Sequence, residues 1–124
     1  MRYLSAIFAV LLVTGCSDTV TTRFATLEDA KSQRAFDRGW LPPLLPDSAR
    51  AIVERNNLDL NIGSGSFGYD VAERRAYLER LSHAGASARI EQDADILTMT
   101  TNGARWEIRL PRSSGDGRWS MRQL

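Results

Sequence analysis

Hydrophobic residues along this chain form one continuous run, three helix-like stripes and a set of alternating stretches. The run comes first. Residues 3–14, YLSAIFAVLLVT, make an apolar segment of about a dozen residues, the size of a secretory leader core and too short to span a bilayer. The clearest alternation surrounds Asn102-Gly103, a dipeptide suited to a type I′ hairpin turn because both positions take positive φ. With these two at the turn, Thr101 faces Ala104, Met99 faces Trp106 and Leu97 faces Ile108. One face then reads Leu97, Met99, Trp106, Ile108, Leu110. The other reads Ile96, Thr98, Thr100, Arg105, Glu107, Arg109. Both strands agree on the apolar side, as a one-sided antiparallel sheet requires. SSGDG marks a second turn, and RWSMRQL a last strand with Trp119 and Met121 inward. SARIEQ, 87–92, predicts one more strand.

Before this β region the pattern predicts helices. TTRFAT reads as a first strand over Val20 to Ala25. Thr26 then caps a helix over 27–36, with Glu28 and Asp29 in its first turn. GWLPPLLP follows. Its prolines exclude a helix interior and a central strand, so it reads as an extended connector. SARAIVERN places Ala49, Ile52 and Val53 on one face, predicting a second helix opened by Asp47 or Ser48. GSGS, 63–66, reads as a turn before a strand over 66–70. AERRAYLERLSHAG carries Tyr77, Leu78 and Leu81 at helical spacing and ends at Gly85. The fold class expected is α+β: a C-terminal antiparallel β-meander packed against two or three short helices.

The leader changes the picture of where the chain resides. It ends in LVTGC, and small residues directly before Cys16 resemble the lipobox of bacterial lipoproteins. That resemblance implies cleavage before Cys16 and acylation of its sulfur. Cys16 is also the single cysteine of the chain, and lipidation accounts for a lone thiol in an exported protein. The expected organisation is a signal peptide at 1–15, a lipidated tether at 16–22 and one domain at 23–124. Ser17 rather than Asp follows the cysteine, which favours the outer membrane, facing the periplasm, over the inner membrane.

Charge adds a constraint on partners. The chain has 16 Lys and Arg against 15 Asp and Glu. A balanced total argues against nucleic acid, which calls for a basic face. No cofactor is expected. His83 is the only histidine, so a His cluster for zinc is absent, and its place at a helix C-terminus suits a dipole contact. DLNIGSG, 59–65, begins like a calcium loop but lacks the closing acid. GSGSFG has no following Lys and precedes a strand, which excludes a phosphate-binding Walker loop. No catalytic set assembles in the sequence. The candidate binding residues are Trp40, Leu41, Leu44, Leu45, Asp59 and Asn61. Trp40 has two readings, closure of the core or contact with a partner.

One longer resemblance rests on residues 21–61. The elements are Ala25, Thr26 and Ala30 at a helix start; the step from Arg38 to Pro42; Leu45, Pro46 and Ser48; and the exit from Asn57 to Asn61. Together they resemble a segment of small bacterial proteins without assigned activity, many of them lipoproteins. The resemblance implies a shared helical pair with a Trp-Pro connector and nothing catalytic. The function expected is a lipid-anchored, non-enzymatic envelope protein that contacts another envelope component, a protein in the first place, through Trp40–Leu45 and the 57–61 loop. The rival is a ligand-binding or hydrolytic module for an envelope polymer or small molecule, with Asp59 and Asp70 lining its pocket.

Overall fold

The computed structural model describes residues 19–124, so the leader and Cys16 lie outside the described residues. Seven strands follow one another: β1 (Thr19–Thr26), β2 (Arg50–Asn57), β3 (Ile62–Gly68), β4 (Ser87–Glu91), β5 (Ala94–Thr101), β6 (Ala104–Pro111) and β7 (Asp116–Gln123). All join a single antiparallel sheet in the order β1-β2-β3-β7-β6-β5-β4. Two α-helices interrupt them, α1 (Leu27–Ser32) and α2 (Arg74–His83).

The expected α+β class with two or three helices is therefore overturned. The protein is mostly β, and α2 is the only helix of seven or more residues among those described. α1 is six residues long. It opens where Thr26 Oγ1 accepts the Asp29 amide at 3.1 Å, then gives way to a 3-10 turn at Ala35–Arg38. The helix expected in SARAIVERN is β2. Ile52, Glu54 and Asn56 alternate inward along it, and the β-branched pair Ile52-Val53 favours the pleat. Two of its three inward side chains are polar, which broke the apolar alternation that betrays a strand.

The turn expected at 63–66 is also overturned, because those residues run through β3. Its glycines answer a packing demand. A Cβ on Gly65 would lie 2.1 Å from Trp119 Cζ2 on the neighbouring β7, inside any tolerable contact. The indole uses the space that a side chain on Gly65 would fill.

The β5–β6 hairpin keeps the expected register, with Thr101 opposite Ala104, Met99 opposite Trp106 and Leu97 opposite Ile108. Asn102 (φ 51°) and Gly103 (φ 75°) form its turn. Strand pairing begins at Thr19, so four residues read as tether belong to the sheet.

One sheet face is covered. Phe24, Ile52, Phe67, Leu97, Met99, Trp106, Ile108, Trp119 and Met121 meet α1, α2 and the connector in a single core. The connector contributes Leu41, Pro42 and Leu45, all buried. α2 adds Tyr77 and Leu81, and the Tyr77 hydroxyl donates to the Leu44 carbonyl at 2.7 Å, tying helix to connector. Burial pushes the Tyr77 phenol well above its ordinary range.

Candidate functional site

The opposite face of the sheet lies under neither helix nor connector. Register sorts its side chains into three rows across the strands. The first runs Thr19, Asn57, Ile62, Arg122, Arg105, Thr100. The second runs Thr21, Arg55, Ser64, Ser120, Glu107, Thr98, Ser87. The third runs Arg23, Val53, Ser66, Arg118, Arg109, Ile96, Arg89.

Cations dominate these rows. Arg89 reaches Glu91 at 3.4 Å and Glu107 at 3.5 Å, and Arg109 donates to Gln92 at 3.4 Å. Arg23, Arg55, Arg105, Arg118 and Arg122 form no salt bridge among the described residues. Arg105 stands directly opposite Arg122, and Arg109 directly opposite Arg118. Like charges placed across a strand pair are destabilising. The balanced total charge thus hides an uneven distribution: seven arginines stand in these rows, while Glu91, Glu107 and Asp116 are the acids of the same face among the described residues. Ser64, Ser66 and Ser120 stand between the arginines and leave the centre of the face low and polar.

Two shallow grooves cross this face. One, of about 460 Å³, is lined by Ile62, Ser64, Arg105, Glu107, Ser120 and Arg122. The other, of about 500 Å³, is lined by Arg23, Arg55, Ser64, Ser66 and Arg118.

A second feature is the end of the sheet where β1 begins. Thr19 pairs with Asn57, Ile62 with Arg122 and Gln123 with Ala104, so the β2–β3 turn, the end of β7 and the Asn102-Gly103 turn meet there. The end is well tied. The Leu60 amide donates to Asn57 Oδ1 at 3.0 Å, the Gln123 amide to the Asn61 carbonyl at 3.1 Å, and the Leu124 amide to the Gly103 carbonyl at 2.9 Å. On this ordered frame Leu58 is 53% exposed, Leu60 65%, Ile62 42%, Val20 48% and Leu124 75%.

Beneath the covered face lies a polar pair, Glu54 and Asn56, each at most 4% exposed. Glu54 Oε2, Asn56 Oδ1 and Trp119 Nε1 are buried without a hydrogen-bond partner among the described residues. Burial raises the Glu54 pKa above its ordinary carboxylate value, partly offset by Arg38 and a hydrogen bond with Thr22. A third polar cluster holds the fold together. Arg74 reaches Asp95 at 2.5 Å and the carbonyls of Leu110 and Pro111 at 2.9 and 2.8 Å. Burial pushes the Asp95 carboxyl up, but hydrogen bonds from Arg112 and Arg74 outweigh it and hold the pKa below the usual value. This cluster pins the start of α2 to the edge of the core.

The residues singled out from sequence fall in different places. Leu41 and Leu45 are core, and Leu44 is half-buried against it. Trp40 is half-buried too, its Cε3 lying 3.3 Å from where a Cβ on Gly63 would stand. Asp59 and Asn61 are exposed in the β2–β3 turn. Asp70 sits beyond the other end of β3, where it takes a hydrogen bond from Arg50 at 2.9 Å and its amide donates to Ser48 Oγ at 2.8 Å. The seven residues of β3 span roughly 20 Å, so Asp59 and Asp70 do not share a pocket. His83 ends α2 in solvent. No group of three or more His, Cys, Asp or Glu able to hold a metal occurs among the described residues. The arginine rows went unread, although RWSMR and ARWEIR already alternate arginine with core residues.

No curated protein and no solved structure matches the chain. The segment resembling small bacterial proteins, 21–61, lies inside a longer family match that covers 51 of the 124 residues and takes in β1, the connector, β2 and β3. Over that stretch, residues 18–68, the chain is similar to the YbbD head domain, and α2 with β4–β7 falls outside the likeness.

Proposed function

We propose that this protein is a lipid-anchored component of the bacterial envelope whose domain is a non-catalytic binding module. Cys16 carries the acyl anchor, and the outer membrane, facing the periplasm, is its site. The uncovered sheet face engages an envelope partner with an acidic surface. The observation that carries this reading is the set of arginines on that face that form no salt bridge among the described residues, two of them in a like-charged cross-strand pair. A guanidinium forks onto carboxylate or phosphate in two parallel hydrogen bonds, which suits such partners better than an ammonium.

This places the contact away from Trp40–Leu45, since the connector's leucines support the core. Two measurements test the reading. Intact mass of the protein isolated from envelopes carries the added mass of acyl chains on Cys16, and an unmodified sulfur would end the anchoring claim. Site-specific photo-crosslinking from Ser64 yields an envelope adduct, which the double variant Arg55→Glu, Arg118→Glu abolishes. Arg75→Glu, on the exposed side of α2, keeps it. An adduct indifferent to Arg55 and Arg118 would remove the arginine face from the function.

A further inference from the structure

We infer that the apolar end of the sheet is a membrane-docking tip, seated on the anionic lipid surface to which the chain is tethered. The inference rests on the anchoring at Cys16 proposed above and adds an orientation and a second contact.

Three observations converge on this end. The first is position. Only Ser17 and Asp18 separate Cys16 from Thr19, the first residue of β1. Three residue steps reach at most about 11 Å even when fully extended. An acylated Cys16 therefore holds the β1 start within that distance of the lipid, and the β2–β3 turn, which follows the Asn57 paired with Thr19, lies at the same end.

The second is chemistry. Leu58, Leu60 and Ile62 stand out of a turn held by backbone and side-chain hydrogen bonds, with Val20 and Leu124 on neighbouring strands of the same end. Single exposed leucines are common, but several at one ordered end form a patch of the kind that marks an interaction surface. Val71 and Ile90, the other exposed large hydrophobic residues among those described, stand apart from this end.

The third is charge. Arg122 and Arg105 occupy the row next to the tip, in the same groove as Ile62. Apolar residues flanked by cations match the layering of a bilayer surface, where acyl boundary and anionic headgroup lie a few ångströms apart. A headgroup phosphate between Arg105 and Arg122 would also relieve the repulsion of that pair. Glu107 shares the groove and reaches Arg89 at 3.5 Å, so Arg89, Arg105 and Arg122 together outweigh Glu107 and Asp59, the one acid in the turn.

The test uses the full acylated chain in vesicles of phosphatidylethanolamine and phosphatidylglycerol. Acylation blocks Cys16, so the thiol introduced by Leu60→Cys takes an environment-sensitive fluorophore alone. Ser113→Cys, at the opposite end of the sheet, gives the control. The tip predicts a blue shift and quenching by brominated lipid at position 60 and neither at 113. With Arg105→Glu and Arg122→Glu added, quenching at 60 falls to the control level. Equal signals at both positions, or none at 60, with Cys16 acylated overturn the tip and leave the anchor standing. A free Cys16 sulfur in the intact mass removes the tether and overturns both.

Discussion

Replacing Arg122 by glutamate should make the protein more stable and worse at its task. Arg122 and Arg105 are direct cross-strand neighbours, which places their Cβ atoms about 5 Å apart. Their long side chains can splay until the guanidinium groups are ~7 Å apart, where two unit charges in water repel by about 0.6 kcal/mol. Arg122→Glu turns that repulsion into an attraction of similar size. The expected gain is about 1 kcal/mol, trimmed by a few tenths because glutamate is a poorer strand former. For a domain near 100 residues this corresponds to a rise in Tm of roughly 4 °C. Thermal melts at low salt measure it, with Arg122→Gln expected to give about half. In 1 M salt, where the Debye length is about 3 Å, the difference should vanish. The same Arg122→Glu protein should lose affinity for anionic vesicles. A gain unchanged by salt would point to packing instead of charge. No gain at low salt would mean that the arginines already avoid each other, and the argument that the face keeps them for an anion would lose its basis.

Three further substitutions probe the covered face. Gly65→Ala places a methyl group 2.1 Å from the Trp119 ring and 2.3 Å from the Val53 carbonyl, so urea unfolding should register a loss of about 3 kcal/mol or more. Glu54→Gln addresses the buried carboxyl. Its folded pKa is raised above 4.5, so the wild type is most stable below that value and weakens as pH rises through the raised folded pKa. The variant cannot ionise, and its urea midpoint should stay flat across that window and exceed the wild type at neutral pH. Asp95→Asn works in the opposite sense. The Asp95 side chain is 16% exposed and takes charged hydrogen bonds from Arg74 and Arg112, so its loss should lower stability by about 2 kcal/mol at neutral pH. Because its folded pKa is depressed below 3.8, that deficit should shrink as pH falls through the depressed value.

Local sequence carried the C-terminal half of the sheet and concealed the N-terminal half. Asn102-Gly103 announces its turn, and the alternation from Leu97 to Leu110 sets the register, because every inward residue there except Thr101, beside the turn, is apolar. β2 breaks that rule with Glu54 and Asn56 facing the core. Its Ile52 and Val53, with Ala49 just before the strand, then fall by accident at helical spacing. β3 breaks it with glycine, and glycine inward of a tryptophan on the next strand cannot be told from glycine in a turn without knowing which strand is next. β7 joins β3 across the chain, a non-local pairing that no short window contains. The basic face was hidden for the same reason. Arg105 and Arg109 were assignable to the outer side of the hairpin, but Arg23 and Arg55 joined them only once β1 and β2 were strands. A net charge averages over faces and so conceals that seven of the 16 basic side chains lie in the rows of one sheet face.

The arrangement of that surface argues for a ligand beyond what solubility demands. A sheet face exposed to water is kept soluble by alternating signs, which also stabilise the cross-strand pairs. Here Arg109 faces Arg118 and Arg105 faces Arg122, while the row between holds Ser64, Ser120 and one acid, Glu107, which is already engaged by Arg89. Mixed charges would have been more stable, so the repulsion has to be offset by something that meets the face. The tip sharpens what that something is. Arg122 and Arg118 lie four residues apart on β7, roughly 13 Å along the strand. With the β2–β3 turn against lipid, the row of Arg105 and Arg122 lies at headgroup height, and the row of Arg23, Arg118 and Arg109 stands more than a Debye length above it at physiological salt. Headgroups therefore compensate the lower row and leave the upper one bare. A second anionic partner, approaching sideways over Ser64 and Ser66, is what the upper row requires. Charge reversal at Arg118 should thus weaken that partner while leaving lipid contact at Leu60 intact, and reversal at Arg122 should do the opposite. Coupled losses from both would mean that one ligand spans the whole face.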